Sequence, residues 1–191
     1  MKAGRLEAFT DGVVAIIITI AVLELPVPHG HDLASLRASA PILLAYALSF
    51  ANVGIYWNNH HHMLHATDRI DGSVLWANLF MLFWLSLAPW VIRWLDESSF
   101  AAMPTAAYGL IFGMAAIGYI WTQARIIAVN GPGSAVAHAV GGDIKGKISL
   151  TMYFAAIPIA FVAAWVSDIF YVAIAVLWLI PDRRIERELT A

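Results

Sequence analysis

The sequence predicts an all-α polytopic membrane protein, six transmembrane helices in one bundle, and three observations carry that prediction. Of the 191 residues, 61% are hydrophobic and 13% charged, against about 45–50% and about 25% in an ordinary soluble domain. The apolar surplus falls in blocks, at 12–25, 40–57, 74–92, 105–121, 148–166 and 169–180. A helix needs about 20 mostly apolar residues to cross the hydrocarbon core, about 17 at the least. The blocks at 74–92 and 148–166 meet that length directly. The others reach it with flanking small or amphipathic residues, the last by tilting or by ending in the interface. The third observation is charge. With six spans, Lys2, Arg5, Arg69, Arg125, Lys145, Lys147, Arg183, Arg184 and Arg187 share one side, leaving only Arg37 and Arg93 on the other. The positive-inside rule then predicts a multi-pass cell-membrane protein with both termini cytoplasmic.

Taken in order, the first helix opens with "RLEAFTDGVVAIIITIAVLEL" and is broken by Pro26, Pro28 and Gly30. Its mixed acidic and basic start, with no small-x-small site before Pro26, argues against a cleaved signal peptide. Residues 35–67 read as one long second helix ending in the polar "YWNNHHHMLHATDR", and 71–95 as a third with Pro89 near its outer end. Residues 101–128 form the fourth, followed by the flexible Gly-rich loop "NGPGSAVAHAVGGD", too neutral for a nucleic-acid site. A tight turn near Ser167 and Asp168 joins the fifth and sixth helices, and "PDRRIERELTA" is a charged tail. No internal repeat is evident, so 1–191 is expected to be a single domain.

The first helix repays reading by angle. At about 100° per residue, with Ile16 as zero, Ile20 lies at about +40°, Leu23 about −20°, Gly12 about −40° and Thr19 about −60°. One stripe about 100° wide carries them all. Asp11 falls at about −140°, behind the stripe. The stripe reads either as a lipid- or core-facing surface or as a functional face. Asp11 reads either as a carboxylate favoured by the helix N-terminus or as a group that must meet a partner inside the bundle. Arg5, six residues away, cannot share its face, so each is expected to bond into a neighbouring helix.

His60, His61, His62 and His65 crowd the end of the second helix, and His61 and His65 share a face, as His62 and His65 roughly do, at a spacing able to chelate a metal. A catalytic metal needs further histidine boxes that the chain lacks, and no HExxH, GxSxG or P-loop motif occurs. With no cysteine, thiolate chemistry is excluded. No enzymatic activity, bound metal or cofactor is expected. One or two histidines are expected to bond to Asp11 or to backbone carbonyls. Asn78, a lone amide in the apolar third helix, reads as an interhelical hydrogen bond.

Three blocks together resemble the endolysosomal potassium channel family, transmembrane protein 175, and its bacterial homologues. They are Arg5, Phe9, Thr10 and Asp11 on the first helix; Trp57, His60 and His61 on the second; and Trp76, Asn78, Leu79 and Pro89 on the third. Thr10 stands where Ser is commoner and keeps the hydroxyl. The resemblance is strong over these helices and merely compatible beyond them. It implies a single six-helix repeat that assembles in membrane lipid as a homotetramer, the first helix of each copy lining a central pore for monovalent cations. By position from the motif, the pore-lining layers fall on Ile16, Thr19, Ile20 and Leu23, the stripe that the helical angles give independently. It also implies a packing network built from Arg5, Phe9, Thr10, Asp11, His60, His61 and Asn78.

The expected activity is therefore a potassium-permeable cation channel, with the potassium ion as permeant species. Its constriction would be hydrophobic and its preference for potassium over sodium weak to moderate, since aliphatic rings gate by excluding water. Glu24 reads either as an outer acidic ring that concentrates cations or as a solvated helix-end carboxylate. Two other classes stay open: a proton- or cation-coupled transporter using Asp11 and the histidines as a relay, and a non-conducting structural membrane protein.

Overall fold

The computed structural model describes residues 3–179, and Lys2 and the charged tail lie outside the described residues. The chain is a bundle of α-helices without a strand among those residues. Five helical segments are long and apolar enough to cross a membrane: Gly4–Leu23, Ala40–His65, Gly72–Glu97, Ala102–Asn130 and Ile144–Leu179.

Helix α1 (Gly4–Leu23) ends before Pro26, as its breakers require. The expected single helix over 35–67 is two elements, α2 (Leu33–Ala38) and α3 (Ala40–His65). Asp32 caps α2, accepting from the Ser35 amide at 2.9 Å, while Pro41 at the start of α3 supplies no amide to continue the earlier turn. The third apolar segment is likewise divided, into α4 (Gly72–Ser86) and α5 (Ala88–Glu97), because Pro89 cannot donate back to the carbonyl of Leu85. Asp71 caps α4 by accepting from the amides of Ser73 (2.9 Å) and Val74 (3.1 Å). The Ser73 hydroxyl first, then these amides, hold its carboxyl below the ordinary aspartate value.

After α6 (Ala102–Asn130) and the short α7 (Ala135–Val140), the last helix, α8 (Ile144–Leu179), breaks at Ala163, where φ is −155° and ψ is 88°. The Ser167 hydroxyl donates to the Ala156 carbonyl at 2.8 Å, and the Trp178 indole donates to the Ser149 hydroxyl at 2.8 Å. In a straight helix those pairs would stand about 16 and about 44 Å apart at 1.5 Å per residue. The two limbs of α8 therefore run back against each other. The turn lies at Ala163 and not near Ser167 and Asp168, because Ser167 is committed to closing the hairpin from the returning limb.

The core lies where α1, α3, α4, α6 and α8 meet. Val14, Ile17, Val53, Met81, Leu85, Phe112, Tyr153 and Tyr171 are all buried there. Gly118 lets α6 sit against α4: a Cβ at that position would lie 2.7 Å from the Met81 Cα. Tyr108 packs at a tilt against Phe112 and Tyr171, and its hydroxyl accepts from Asn52 at 3.1 Å. Such buried polar pairs are satisfied within the bundle, as a water-free surrounding demands.

Candidate permeation face and its polar anchors

Helix α1 divides lengthwise. Leu6, Thr10, Val14, Ile17 and Ala21 are buried, following the three-and-four spacing of one helical face. Ile16 (58% exposed), Thr19, Ile20 (43%) and Leu23 (80%) point away from the chain's own bundle. Phe9 and Arg5, by angle, extend the same exposed stripe toward the N-terminus. The Thr19 hydroxyl donates to the Ile16 carbonyl at 2.9 Å. Its proton is thereby turned into the helix, and the oxygen keeps outward lone pairs able to accept from water or to meet a cation. A groove between the stripe and α5 is lined by Ile16, Ile20, Pro89 and Trp90.

The opposite face of α1 is fastened by polar contacts at three successive levels. In the interior, the Asn78 amide of α4 donates to the Thr10 hydroxyl at 3.0 Å, and its carbonyl oxygen accepts from His60 Nε2 at 2.7 Å. Thr10, Asn78 and His60 are at most 1% exposed. This triad ties α1, α4 and α3 together. At the margin, the Trp57 indole donates to Asp11 at 2.8 Å. One turn toward the N-terminus of α1, and one turn toward the C-terminus of α3, Glu7 meets His61 Nδ1 at 2.9 Å and His65 Nδ1 at 3.5 Å.

The pairs Asp11–Trp57 and Glu7–His61 fix an antiparallel register, since a four-residue step on α1 matches a four-residue step on α3. That register corrects the expected partnership of the histidines with Asp11. The tryptophan sits level with Asp11, and the histidines at 61 and 65 sit level with Glu7. Among the described residues Arg5 is exposed and meets no partner within the chain, so the expectation that it bonds to a neighbouring helix is unmet inside one copy. Glu24 pairs with Arg93 of α5 at 2.6 Å, and Arg93 also donates to Glu97 at 2.8 Å. The Glu24 carboxylate is thus partly neutralised at the C-terminal end of α1.

Sequence reasoning grouped Trp57 with the motif without giving it a role, and missed Glu7, His65 and Arg93 as partners. The i, i+4 spacings of Glu7 with Asp11, and of Trp57 with His61, are the signal that could have paired them.

This arrangement is that of an all-helical, multi-span membrane protein whose first helix is pinned on one side and bare on the other. Residues 5–89 match the family model described as the endosomal/lysosomal potassium channel TMEM175. A potassium channel of a Chryseobacterium species is 48% identical over 189 residues, covering 99% of this chain and 98% of that protein. One from Chamaesiphon minutus is 31% identical over 183 residues, covering 87% of this chain and 88% of that protein. Among solved structures, the crystal structure of a lysosomal potassium-selective channel TMEM175 homolog from Chamaesiphon minutus superposes with a TM-score of 0.79. It is 26% identical and covers 93% of this chain and 96% of its own. The chain belongs to the TMEM175 channel family.

Proposed function

We propose that this chain is a potassium-permeable cation channel of the cell membrane, acting as one domain over 1–191 and assembling as a homotetramer. The observation that carries the reading is the bare stripe of Ile16, Thr19, Ile20 and Leu23 on a helix anchored along its opposite face. One helix cannot enclose a pore. Closed cyclic symmetry, the common solution for soluble oligomers, would here bring several copies of the stripe around one axis. Stacked aliphatic rings there form a constriction that gates by excluding water, with the Thr19 oxygens replacing part of an ion's hydration. Neither element discriminates strongly between similar ions, so the preference for potassium over sodium is weak to moderate.

The remaining motif residues take structural roles in this reading. Thr10, Asp11, His60, His61 and Asn78 set the rotation and depth of α1. Phe9 and Arg5, exposed in one copy, pack against a neighbouring copy. Glu24 contributes a negative mouth only to the extent that Arg93 leaves it charge. The family and its relatives point to a channel and not to an enzyme, and no bound metal or cofactor has a part in conduction. With the two limbs of α8 each crossing the bilayer, the chain has six spans and both termini in the cytoplasm.

The test is ion flux from purified protein in liposomes, comparing potassium, sodium and a large organic cation, with the mass of the detergent-solubilised particle measured on the same preparation. A tetramer passing potassium fastest and excluding the organic cation is the expected result. Slow flux that saturates with ion concentration would move the reading to a coupled transporter. A stable monomer without flux would move it to a structural role.

A further inference from the structure

Away from the exposed stripe, Glu7, His61 and His65 bring three ligand atoms within 4.8 Å of one another. Both imidazoles present Nδ1 to the same carboxylate oxygen, Glu7 Oε1, at 2.9 and 3.5 Å. The cluster is open to water: the side chain of His65 is 57% exposed, that of His61 33% and that of Glu7 22%. Two imidazole nitrogens and one carboxylate oxygen, with an accessible fourth position, are the donor set of a borderline transition ion and not of calcium or magnesium.

We propose that Glu7, His61 and His65 form a binding site for a divalent ion of the zinc, cobalt or nickel class, which joins α1 to α3. Bond lengths to nitrogen and oxygen of about 2.0–2.2 Å put tetrahedral ligand atoms about 3.3–3.6 Å apart. The contact at 3.5 Å is already at that spacing, and the one at 2.9 Å needs to open by a few tenths of an ångström. The two imidazole nitrogens, within 4.8 Å of each other, settle to the same spacing by side-chain rotation. His61 and His65 stand one turn apart on α3 with ring centroids 4.5 Å apart, so the helix holds two ligands in place before the ion arrives. Trp57 stacks on His61 while donating to Asp11, which limits rotation of that ring. Water fills the fourth position. The site stands on the geometry of α1 and α3 and is independent of whether the protein conducts.

The test uses the full chain purified in detergent through a tag without histidines. Cobalt(II) is titrated and followed by its visible absorption, zinc is then added as competitor, and thermal unfolding is recorded with and without zinc. The expected result is a tetrahedral cobalt spectrum saturating at one ion per chain, displaced by zinc, with a zinc-dependent rise in the unfolding temperature. His65→Ala removes an exposed ligand and should weaken binding about tenfold or more, the loss seen even for supporting residues of metal sites. His62→Ala, outside the ligand set, should leave binding unchanged. Glu7→Gln should abolish the zinc-dependent stabilisation, because the ion then has no ligand on α1. Absence of the spectrum in the unaltered chain, or its persistence at full strength in His65→Ala, overturns the site. Unchanged zinc stabilisation in Glu7→Gln overturns the link between helices.

Discussion

Replacing Asn78 by Leu tests the buried triad that sets the rotation of α1. The two side chains have similar size and shape, so the change removes hydrogen bonds more than it alters packing. Asn78 donates to Thr10 and accepts from His60, and all three residues are essentially inaccessible to water. The substitution strands the His60 Nε2–H and one lone pair of the Thr10 hydroxyl. A buried polar group left unpaired costs about 1–3 kcal/mol, whereas an interhelical hydrogen bond inside a membrane is worth about 0.6 kcal/mol on average. Thr10 can turn its hydroxyl to its own helix and recover part of its share. His60 has no such local alternative at Nε2. The expected loss is therefore about 1.5–4 kcal/mol, most of it from His60. Detergent-denaturant unfolding of the purified protein measures it, with Asn78→Leu, His60→Leu and the double variant compared. Because the double variant leaves no orphaned imidazole, its loss should be smaller than the sum of the two single losses. Full stability of Asn78→Leu, or strict additivity in the double variant, would refute the triad as the anchor of α1.

Other positions give sharp outcomes as well. Gly118→Ala would place a Cβ within 2.8 Å of the Met81 backbone nitrogen and force α4 and α6 apart; a loss of about 1–3 kcal/mol is expected, read as a lower thermal midpoint. Trp57→Phe keeps an aromatic ring but leaves Asp11 without its donor, so stability should fall by about 1–2 kcal/mol with the oligomer retained on size exclusion. Asp71→Ala removes the α4 cap. The folded pKa of Asp71 lies below its unfolded value, so the stabilising contribution is fully present above about pH 4 and is lost as pH falls through the folded value. The gap in thermal midpoint between the unaltered protein and Asp71→Ala should thus be constant near neutrality and narrow only in stronger acid.

Composition made the helical membrane class legible, and the Ile16, Thr19, Ile20 and Leu23 stripe was readable because one helix repeats every 3.6 residues. The breaks were harder. Pro89 divides an apolar run whose hydropathy is continuous, so length alone reads it as one helix. Pro41 stands at the start of its apolar run, where the preceding residues still read as helical. The hairpin at Ala163 has no glycine or proline at the turn itself and is closed by Ser167 reaching back to Ala156, a tertiary contact that local sequence does not encode. The same holds for partners. Which side chain meets Asp11 depends on the register of α3 against α1, which the contacts of Trp57 with Asp11 and of His61 with Glu7 mark and which local sequence does not encode. The motif identified which residues belong to the network, but the pairing of Trp57 with Asp11 and of Glu7 with the histidines needed the fold.

The placement of the permeation path along α1 can be tested by cysteine accessibility, on a background without any native cysteine. Leu23→Cys and Ile16→Cys are each reconstituted in liposomes and treated with a positively charged thiol reagent while potassium flux is recorded. Val162→Cys, 88% exposed on α8, serves as a modified site away from the stripe. If the stripe lines the path, the reagent should suppress flux in Leu23→Cys, and in Ile16→Cys where it can reach past the constriction, and spare Val162→Cys and the unaltered protein. Quantitative labelling of Leu23→Cys with undiminished potassium flux would contradict the placement of the path along α1.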